Sequence, residues 1–316
     1  MKKMKIALTF LFASLLFVAN SQQKTALHNG GSTTIFSGPS QFTNAYNAAV
    51  DGDTIYLPGG TFSIFPIIDK RLVIYGAGFH PDSILVTSAT VLNSTLTIRG
   101  NADSCFIQGL EVNGDIQTSS NHKVDNFVIS RCKFNGLTID GTLTTPCNNI
   151  TISECIISGN ILLNNASFCD LTNNLIENRI YSGENNAIQN NIFFYNASLY
   201  LINNCDNTLF ANNVIFRTAP TAIHTGTDFS TFSNNVFAVT PSAGSNNFIS
   251  NYYDVDISTF FVNQSGNTPD FYHDYNLTDP ITYLGLDGSE VGLFGGLHPF
   301  KAGTLPENPH FQLKTI

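Results

Sequence analysis

Basic residues are scarce in this chain, which has 14 lysines and arginines against 23 aspartates and glutamates and a formal charge of −9. Such an acidic balance does not suit a protein that holds nucleic acid or anionic polysaccharide by bulk charge. After the first residues there is no apolar run long enough to cross a membrane. Cys-x-x-Cys pairs and mixed cysteine and histidine clusters are also absent, so the six cysteines give a zinc site little support.

The first 21 residues have the layout of a secretory signal peptide. Lys2, Lys3 and Lys5 precede an apolar run over residues 6–18, and small or polar residues follow up to Ser21. Cleavage after Ser21 would remove three lysines and no acid, bringing the formal charge to −12. An uncleaved membrane anchor is the alternative, but the run is short for a span. We therefore expect a secreted or cell-surface protein whose mature chain has no membrane span.

Four segments carry an Asn-Asn pair inside one apolar frame, and a fifth carries the same frame with the second Asn of the pair replaced. They are LTNNLIEN (171–178), IQNNIFFYN (188–196), FANNVIFRT (210–218), FSNNVFAVT (232–240) and FISNYYDVD (248–256). The first position of the pair serves as a reference position. Continued towards the N-terminus at spacings of 17, 22, 22, 17, 19, 23 and 23 residues, the reference positions are Asn251, Asn234, Asn212, Asn190, Asn173, Glu154, Arg131 and Gln108. Periods of about twenty residues predict stacked coils and are too short for helical repeats.

Two apolar columns accompany the reference positions. Two residues before them the chain is apolar in every copy, at Phe106, Ile129, Ile152, Leu171, Ile188, Phe210, Phe232 and Ile249. Three residues after them it is apolar except at Glu111 and Asp254, in the outermost copies. Local alternation rich in Val, Ile, Phe and Thr, as in FVISRCKF (127–134), predicts short strands. Equal phase in every copy predicts parallel stacking around a dry interior.

The second residue of each pair predicts an inward ladder. A side-chain amide both donates and accepts, so copies stacked along the axis can bond to one another. The predicted ladder residues are Asn174, Asn191, Asn213 and Asn235. Cys132 and Cys155 take the same position in two adjacent coils. We expect them to be stacked, buried thiols, because stacked parallel neighbours do not readily give the disulfide dihedral.

Coils of 17–23 residues with an inward Asn ladder resemble the right-handed parallel β-helix of the pectin-lyase-like superfamily. SQFTNAYNAAVDGDTIYLPGGTF (40–62) is similar to the entry segment of such proteins, and residues 287–316 resemble the closing segments of secreted, Bacteroidetes-type members. The resemblance implies an all-β, right-handed parallel β-helix of about ten coils with an N-terminal capping helix. The expected division is a signal peptide (1–21), an N-terminal segment with the helix and first strand (22–62), the coils (63–255) and a C-terminal coil or cap (256–316).

The superfamily also indicates which chemistry to look for. Its lyases hold calcium with several carboxylates and use Arg or Lys as base, and its hydrolases use clustered Asp. The outward positions one and three residues before the reference positions hold a single acid, Asp170, and no segment matches the paired-Asp or Arg-bearing motifs. The catalytic candidates are instead Arg217, His224 and Asp228 on one connection, and His122 and Lys123 before a strand. An ordinary polar loop is the simpler explanation of both groups.

Other polar and aromatic residues have structural explanations. Arg131 and Glu154 share the reference column in adjacent coils, which predicts a surface ion pair of little energetic weight. Residues 287–290 have calcium-like types but too few ligands, and the acids after residue 250 suit a solvated cap. Aromatic residues gather near the C-terminus, where they could stack on sugars or plug the stack: Tyr252, Tyr253, Phe260, Phe261, Phe271, Tyr272 and Tyr275.

Two classes of function follow from the sequence. An exported, non-catalytic β-helix scaffold that is cell-surface, adhesive or glycan-contacting is preferred, because the outward columns lack paired acids and basic residues. The alternative is a carbohydrate-active enzyme, a polysaccharide lyase or glycoside hydrolase, that uses loop residues. The expected partner is a polysaccharide or cell-surface glycan and not nucleic acid. No cofactor or metal is expected, and calcium enters only if the chain is a lyase.

Overall fold

A computed structural model describes residues 24–63, 65–80, 88–119, 122–194, 199–220, 223–264, 269–270 and 273–301. The predicted signal peptide lies outside the described residues, and so do Phe271 and Tyr272. The chain winds into a parallel β-solenoid of about eight turns with about 5% helix, which confirms the predicted all-β class and fits a right-handed parallel β-helix. Among the described residues no helix is long and apolar enough to cross a bilayer.

An antiparallel pair and a helix close the N-terminal end of the stack. Strands β1 (Lys24–Asn29) and β2 (Ser32–Ser37) pair with each other, and β1 also pairs antiparallel with β3 (Thr54–Tyr56), the first strand of the stack. Helix α1 (Gln41–Ala48) lies between β2 and β3 in the chain. Its Phe42, Ala45 and Tyr46 side chains are buried because their spacing places them on one helix face. The helix agrees with the prediction, whereas the antiparallel pair is an addition to it.

Three parallel sheets run along the stack, and most coils add one short strand to each. After β3, the first sheet contains β5 (Val73–Tyr75), β8 (Phe106–Gln108), β11 (Val128–Ser130), β15 (Thr151–Ser153), β19 (Asp170–Thr172), β22 (Ala187–Gln189), β25 (Leu209–Ala211), β28 (Thr231–Ser233) and β30 (Asn247–Ile249). The second sheet contains β4 (Gly60–Phe62), β6 (Thr90–Leu92), β9 (Glu111–Val112), β12 (Lys133–Phe134), β16 (Ile156–Ile157), β20 (Leu175–Ile176), β23 (Ile192–Phe193), β26 (Val214–Ile215) and β29 (Val236–Phe237). The third contains β7 (Leu96–Ile98), β10 (Ile116–Thr118), β13 (Leu137–Asp140), β14 (Cys147–Asn148), β17 (Ile161–Asn164), β18 (Ala166–Ser167), β21 (Ile180–Glu184), β24 (Ile202–Asp206) and β27 (His224–Thr225).

The core column of the first sheet is the predicted one through the central coils. Its members pair in register and are fully buried: Ile129, Ile152, Leu171, Ile188, Phe210 and Phe232. The rings of Phe210 and Phe232 stack with centroids 4.7 Å apart, and Phe248 continues the stack 4.6 Å from Phe232. Each coil therefore buries its apolar side chain against the same position of the next coil.

The predicted register is wrong by one residue in the most N-terminal of the predicted copies, the coil that contains β8. Ile107 is the residue that pairs with the core isoleucine of the next coil. The reference residue is therefore Gly109 rather than Gln108, and the apolar residue after it is Val112 rather than Glu111. Glycine adopts the positive φ of 76° that this corner requires, but it carries no Asn signal in the sequence.

The same one-residue error occurs at the other end. Phe248, not Ile249, pairs with the core phenylalanine of the preceding coil. The reference residue is Ser250 at φ 51°, and Asn251 instead belongs to the inward ladder. Asp254 consequently falls outside the apolar column, and its carboxylate accepts hydrogen bonds from the backbone and hydroxyl of a nearby threonine.

The inward ladder is hydrogen-bonded from coil to coil. The backbone N–H of each residue donates to the Oδ1 of the next at 2.8–3.0 Å, and its Nδ2 does the same at 2.9–3.1 Å, through Asn174, Asn191, Asn213, Asn235 and Asn251. Cys155 N donates to Asn174 Oδ1 at 2.9 Å, and Cys132 N lies 3.5 Å from Cys155 Sγ. All six cysteines are free and buried, in agreement with the expectation for Cys132 and Cys155. Burial raises the pKa of the Cys132 thiol to about 12.

The reference residues turn the chain from the first sheet to the second in the left-handed backbone conformation. Their φ values lie between 48° and 58° at Arg131, Glu154, Asn173, Asn190, Asn212 and Asn234. Asn accepts this conformation more readily than other residues with a side chain, which explains its recurrence. The column was predicted to be outward and exposed, but five of these side chains are buried, and Asn234 is half-buried.

A C-terminal strap, the described part of residues 252–301, covers that corner and the second sheet. It contains a 3-10 helix (Ile257–Thr259) and an antiparallel pair, β31 (Phe261–Asn263) and β32 (Asp274–Leu277). Its apolar side chains form a second core with the outward residues of the second sheet, which are Ile156, Leu175, Ile192, Val214 and Val236. In the two preceding coils the same column holds Glu111 and Lys133, a half-exposed ion pair at 2.8 Å. The column is thus apolar where the strap covers it.

The aromatic residues near the C-terminus serve this second core. Phe260, Phe261 and Tyr275 pack on the outside of the second sheet and do not plug the stack. Tyr253 differs, because its ring stacks on Phe237 of the last coil with centroids 5.8 Å apart. Sugar stacking by the first three residues would require the strap to leave the sheet.

The strap follows the reference column back over five coils. Asn234 Nδ2 donates to Leu284 O (3.0 Å), Leu286 N to Asn212 Oδ1 (3.0 Å), Asn190 Nδ2 to Gly292 O (3.3 Å) and Asn173 Nδ2 to Leu293 O and Gly295 O (both 2.8 Å). Glycine permits this approach, because a Cβ on Gly295 would lie 2.6 Å from Asn190 Nδ2 and 1.7 Å from a backbone oxygen. Lys301 N then donates to Glu154 Oε2 at 3.2 Å.

The Arg131 and Glu154 pair is therefore not the surface ion pair that was predicted. Their side chains are only 3% and 7% exposed, with Arg131 Nε 2.9 Å and Nη2 3.2 Å from the two carboxylate oxygens of Glu154. The strap excludes water from the pair. Removing one partner of a pair in this position costs much more than removing one partner of an exposed pair, because the other charge is left buried and uncompensated.

Candidate functional site

The three candidates on the 217–228 connection differ in burial and in their contacts. Arg217 is buried, only 3% exposed. His224 begins β27, where its Nε2 lies 2.5 Å from Ser242 O and its ring lies 5.6 Å from that of Phe232. Burial lowers the pKa of His224, and the Ser242 carbonyl and the charge of Asp228 oppose that shift. The Asp228 carboxylate accepts a hydrogen bond from Ser245 Oγ.

The other two candidates are exposed and adjacent. The backbone N–H of His122 donates to Ser119 O, and the His122 carbonyl oxygen accepts a weak hydrogen bond from the Cys147 thiol. Lys123 Nζ lies 2.7 Å from Asp125 Oδ2, and this hydrogen bond raises the pKa of Lys123. A catalytic lysine base needs a lowered pKa, so this geometry works against that role.

Among the described residues no group of three or more His, Cys, Asp or Glu side chains is arranged to hold a metal ion. The calcium-like segment 287–290 forms a local turn, in which Asp287 Oδ1 accepts from Ser289 N at 3.0 Å and from Ser289 Oγ at 2.6 Å. Asp256 makes the same kind of turn with Ser258. These acids hold local structure together within the strap.

The outward face of the third sheet presents a continuous row of side chains. Consecutive coils contribute one half-exposed residue each, in register: Thr97, Gln117, Thr138, Leu162, Tyr181, Asn203 and Thr225. Gln117 Nε2 donates to Thr97 Oγ1 at 3.2 Å, and the Arg179 guanidinium lies 4.6 Å from the centre of the Tyr181 ring. A depression of about 350 Å³ at the N-terminal end of the row is lined by residues that include Phe65 and Thr95.

A second inward ladder, missed by the sequence analysis, supports the corner after the third sheet. Each backbone N–H donates to a side-chain oxygen of the next coil, through Cys169, Asn186, Thr208, Ser230 and Asn246, at 2.8–3.5 Å. The Asn-Asn pair at residues 185–186 was a usable signal, because its second Asn points inward as Asn174 does. The other positions of this ladder hold different residue types (Cys, Thr, Ser and Asn), so the sequence shows no repeated residue there.

The residue before each member of that ladder lies on an exposed outer edge. Seven coils place a residue there with φ between 48° and 62°, namely Ser104, Asn126, Asn149, Phe168, Asn185, Asn207 and Phe229. Beside the edge, three successive coils present the carboxylates of Glu184, Asp206 and Asp228. The third-sheet row and this outer edge are neighbouring surfaces along the coil. No protein-family model, curated protein or solved structure gives a significant match to the chain.

Asp170 is the only acid at the positions one and three residues before the reference positions. It is half-buried on the first sheet. Within the described residues its Oδ1 is buried without a hydrogen-bond partner. Burial raises the pKa of Asp170, and the charge of His298 opposes this shift. The folded protein therefore holds the Asp170 proton more tightly than the unfolded chain does, so ionisation of this group costs stability as the pH rises.

We expect Asp170→Asn to stabilise the protein at pH 7 and to have no effect near pH 3, below the ordinary Asp pKa of about 3.9. Asp287→Asn should do the opposite at pH 7, because the hydrogen bond from Ser289 lowers the pKa of Asp287. Urea unfolding at the two pH values measures both changes. A stabilisation by Asp170→Asn that is equally large at pH 3 would show that the carboxylate charge is not its cause.

Proposed function

We propose that this chain is an exported, non-catalytic scaffold that contacts glycans at the cell surface and shares the fold of the pectin-lyase-like superfamily. Export rests on the layout of residues 1–21, and the superfamily on the solenoid with its two ladders. The catalytic candidates support a scaffold more than an enzyme. His224, Asp228 and Lys123 each make a close contact with the protein itself, and Arg217 is buried.

The observation that carries the proposal is the third-sheet row. Its seven side chains recur at the parallel strand spacing and span about 29 Å. Hydroxyls and amides both donate and accept hydrogen bonds, as sugar hydroxyls do. Tyr181 adds an aromatic face backed by a guanidinium. A flat row of this length suits contact with several successive sugars of one chain.

The test is retention of the purified protein in native gels that contain galactomannan, xyloglucan or polygalacturonate, combined with assays for reducing ends and unsaturated products. We expect retention by a glycan without product formation. Tyr181→Ala should weaken retention by about threefold to tenfold, since a stacking contact contributes about 0.5–1.5 kcal/mol. Tyr56→Ala is the matched control, because Tyr56 stacks on Tyr75 in the first sheet.

Two results would contradict the proposal. If none of the polysaccharides retains the protein, the proposal that it contacts glycans is wrong. Product formation that is lost on alanine substitution of Arg217, His224 or Asp228, or of His122 or Lys123, would establish the lyase instead. Calcium should be present in one arm of the assay, since superfamily lyases require it.

A further inference from the structure

The outer edge contains two residues that its backbone does not favour. Five of the seven coils place Ser or Asn there, which suit a positive φ. The other two place Phe168 at φ 57° and Phe229 at φ 54°. A bulky residue in this region of φ is a true outlier. The repeat provides an internal comparison, because the same backbone position in the neighbouring coils holds Ser or Asn, which adopt a positive φ with less strain.

Neither phenylalanine gains burial in exchange for this strain. The side chain of Phe168 is 63% exposed and that of Phe229 is 75% exposed, so both rings lie largely in water. An Asn at either position would fit the backbone better and would expose less apolar surface to solvent. The stability of the fold therefore does not explain the two rings, and an external contact does.

The setting of the rings indicates the chemistry of that contact. Phe168 and Phe229 are three coils apart, about 14 Å along the axis at the parallel strand spacing. Exposed Asn185 and Asn207 lie between them, with the carboxylates of Glu184, Asp206 and Asp228 alongside. Isolated apolar rings separated by amides do not make the continuous apolar surface that a protein partner would cover. They suit a ligand with apolar faces and a hydroxyl rim, repeated along its length.

We propose, on the basis of the glycan-contacting function argued above, that the outer edge binds a neutral polysaccharide lying parallel to the solenoid axis. The two phenyl rings stack on separate sugars, and the amides and carboxylates between them bond to hydroxyls. The three carboxylates repel a uronate chain, so neutral polymers bind and polygalacturonate does not. The edge thereby selects the class of glycan that the scaffold contacts.

The test is the double variant Phe168→Asn and Phe229→Asn, which installs the residue that the edge carries at most of its other positions. Affinity for galactomannan and xyloglucan, measured by gel retention and calorimetry, should fall at least about tenfold, equivalent to about 1.4 kcal/mol. The urea midpoint should stay the same or rise, because Asn fits the backbone better. Ile281→Asn, which removes an 82% exposed side chain on the strap, is the control and should leave affinity unchanged.

The outcomes separate this proposal from the one it rests on. If the wild type is retained by neutral polysaccharide and the double variant is retained equally, the edge is not the site and the glycan function stands. If no polysaccharide retains the wild type, both proposals fail. Tighter retention by polygalacturonate than by neutral polymers would also overturn the edge proposal. So would a wild-type protein that is dimeric and a double variant that is monomeric.

Discussion

Asn213→Leu is expected to destabilise the protein by about 3 kcal/mol, because it leaves several buried polar groups without partners at about 1–3 kcal/mol each. Asn213 is fully buried in the middle of the inward ladder. Its Oδ1 accepts from Asn191 N and Nδ2, both at 3.0 Å, and its Nδ2 donates to Asn235 Oδ1 at 2.9 Å and Ile188 O at 2.8 Å. Leucine replaces none of these bonds.

Asn203→Leu is the matched control, since Asn203 faces outward in the third-sheet row and is half-exposed. It should change stability by no more than about 0.5 kcal/mol. Urea unfolding followed by far-UV circular dichroism compares the two variants. Asn212→Ser is unsuitable as a control, because Asn212 is buried under the strap and accepts from Leu286 N. Equal losses in Asn213→Leu and Asn203→Leu would show that the ladder bonds contribute little.

The central coils could be predicted because two physical requirements leave marks in the sequence. A left-handed corner followed by an inward amide selects Asn-Asn, and a core column selects one large apolar residue per coil. In the first and last predicted copies, Gly109 and Ser250 occupy the left-handed corner without an Asn. The Asn pattern therefore predicts the wrong register there. Asn251 looked like a corner residue and is a ladder residue.

The strap could not be predicted from the repeat. Several of its contacts join residues more than 100 positions apart, such as Asn173 with Leu293. Most of its bonds to the corner use backbone atoms of the strap, which leave no residue signature. The change from Lys133 to Ile156 in the outward column of the second sheet was the available clue. An outward column that becomes apolar needs a cover, and residues 252–301 supply it.

The candidate site shows the same limit. The sequence shows that His224 and Asp228 lie on one connection between coils. It could not show that their polar groups contact Ser242 and Ser245. The third-sheet row has no periodic residue type, since threonine, glutamine, leucine, tyrosine and asparagine alternate along it. Only the register of parallel strands places these side chains on one line.

Glu154→Ala is expected to have the largest effect, a loss of about 3–5 kcal/mol, because it leaves the Arg131 charge buried without its carboxylate. The variant also removes the acceptor that Glu154 provides for Lys301 N in the strap. Glu111→Ala is the matched control. Glu111 pairs with Lys133 across neighbouring coils at 2.8 Å, but the side chains are 22% and 33% exposed. Its loss should cost only about 0–1 kcal/mol.

Replacing both charged residues tests the cause of that loss. Arg131→Asn with Glu154→Asn removes both buried charges and installs the residue that the next four coils carry at the same left-handed corner. We expect the double variant to lie within about 1 kcal/mol of the wild type, because replacing a whole buried pair is often neutral whereas breaking it is not. Urea midpoints of the single and double variants measure the difference. A double variant as unstable as Glu154→Ala would mean that the carboxylate matters for holding the strap, not for neutralising Arg131.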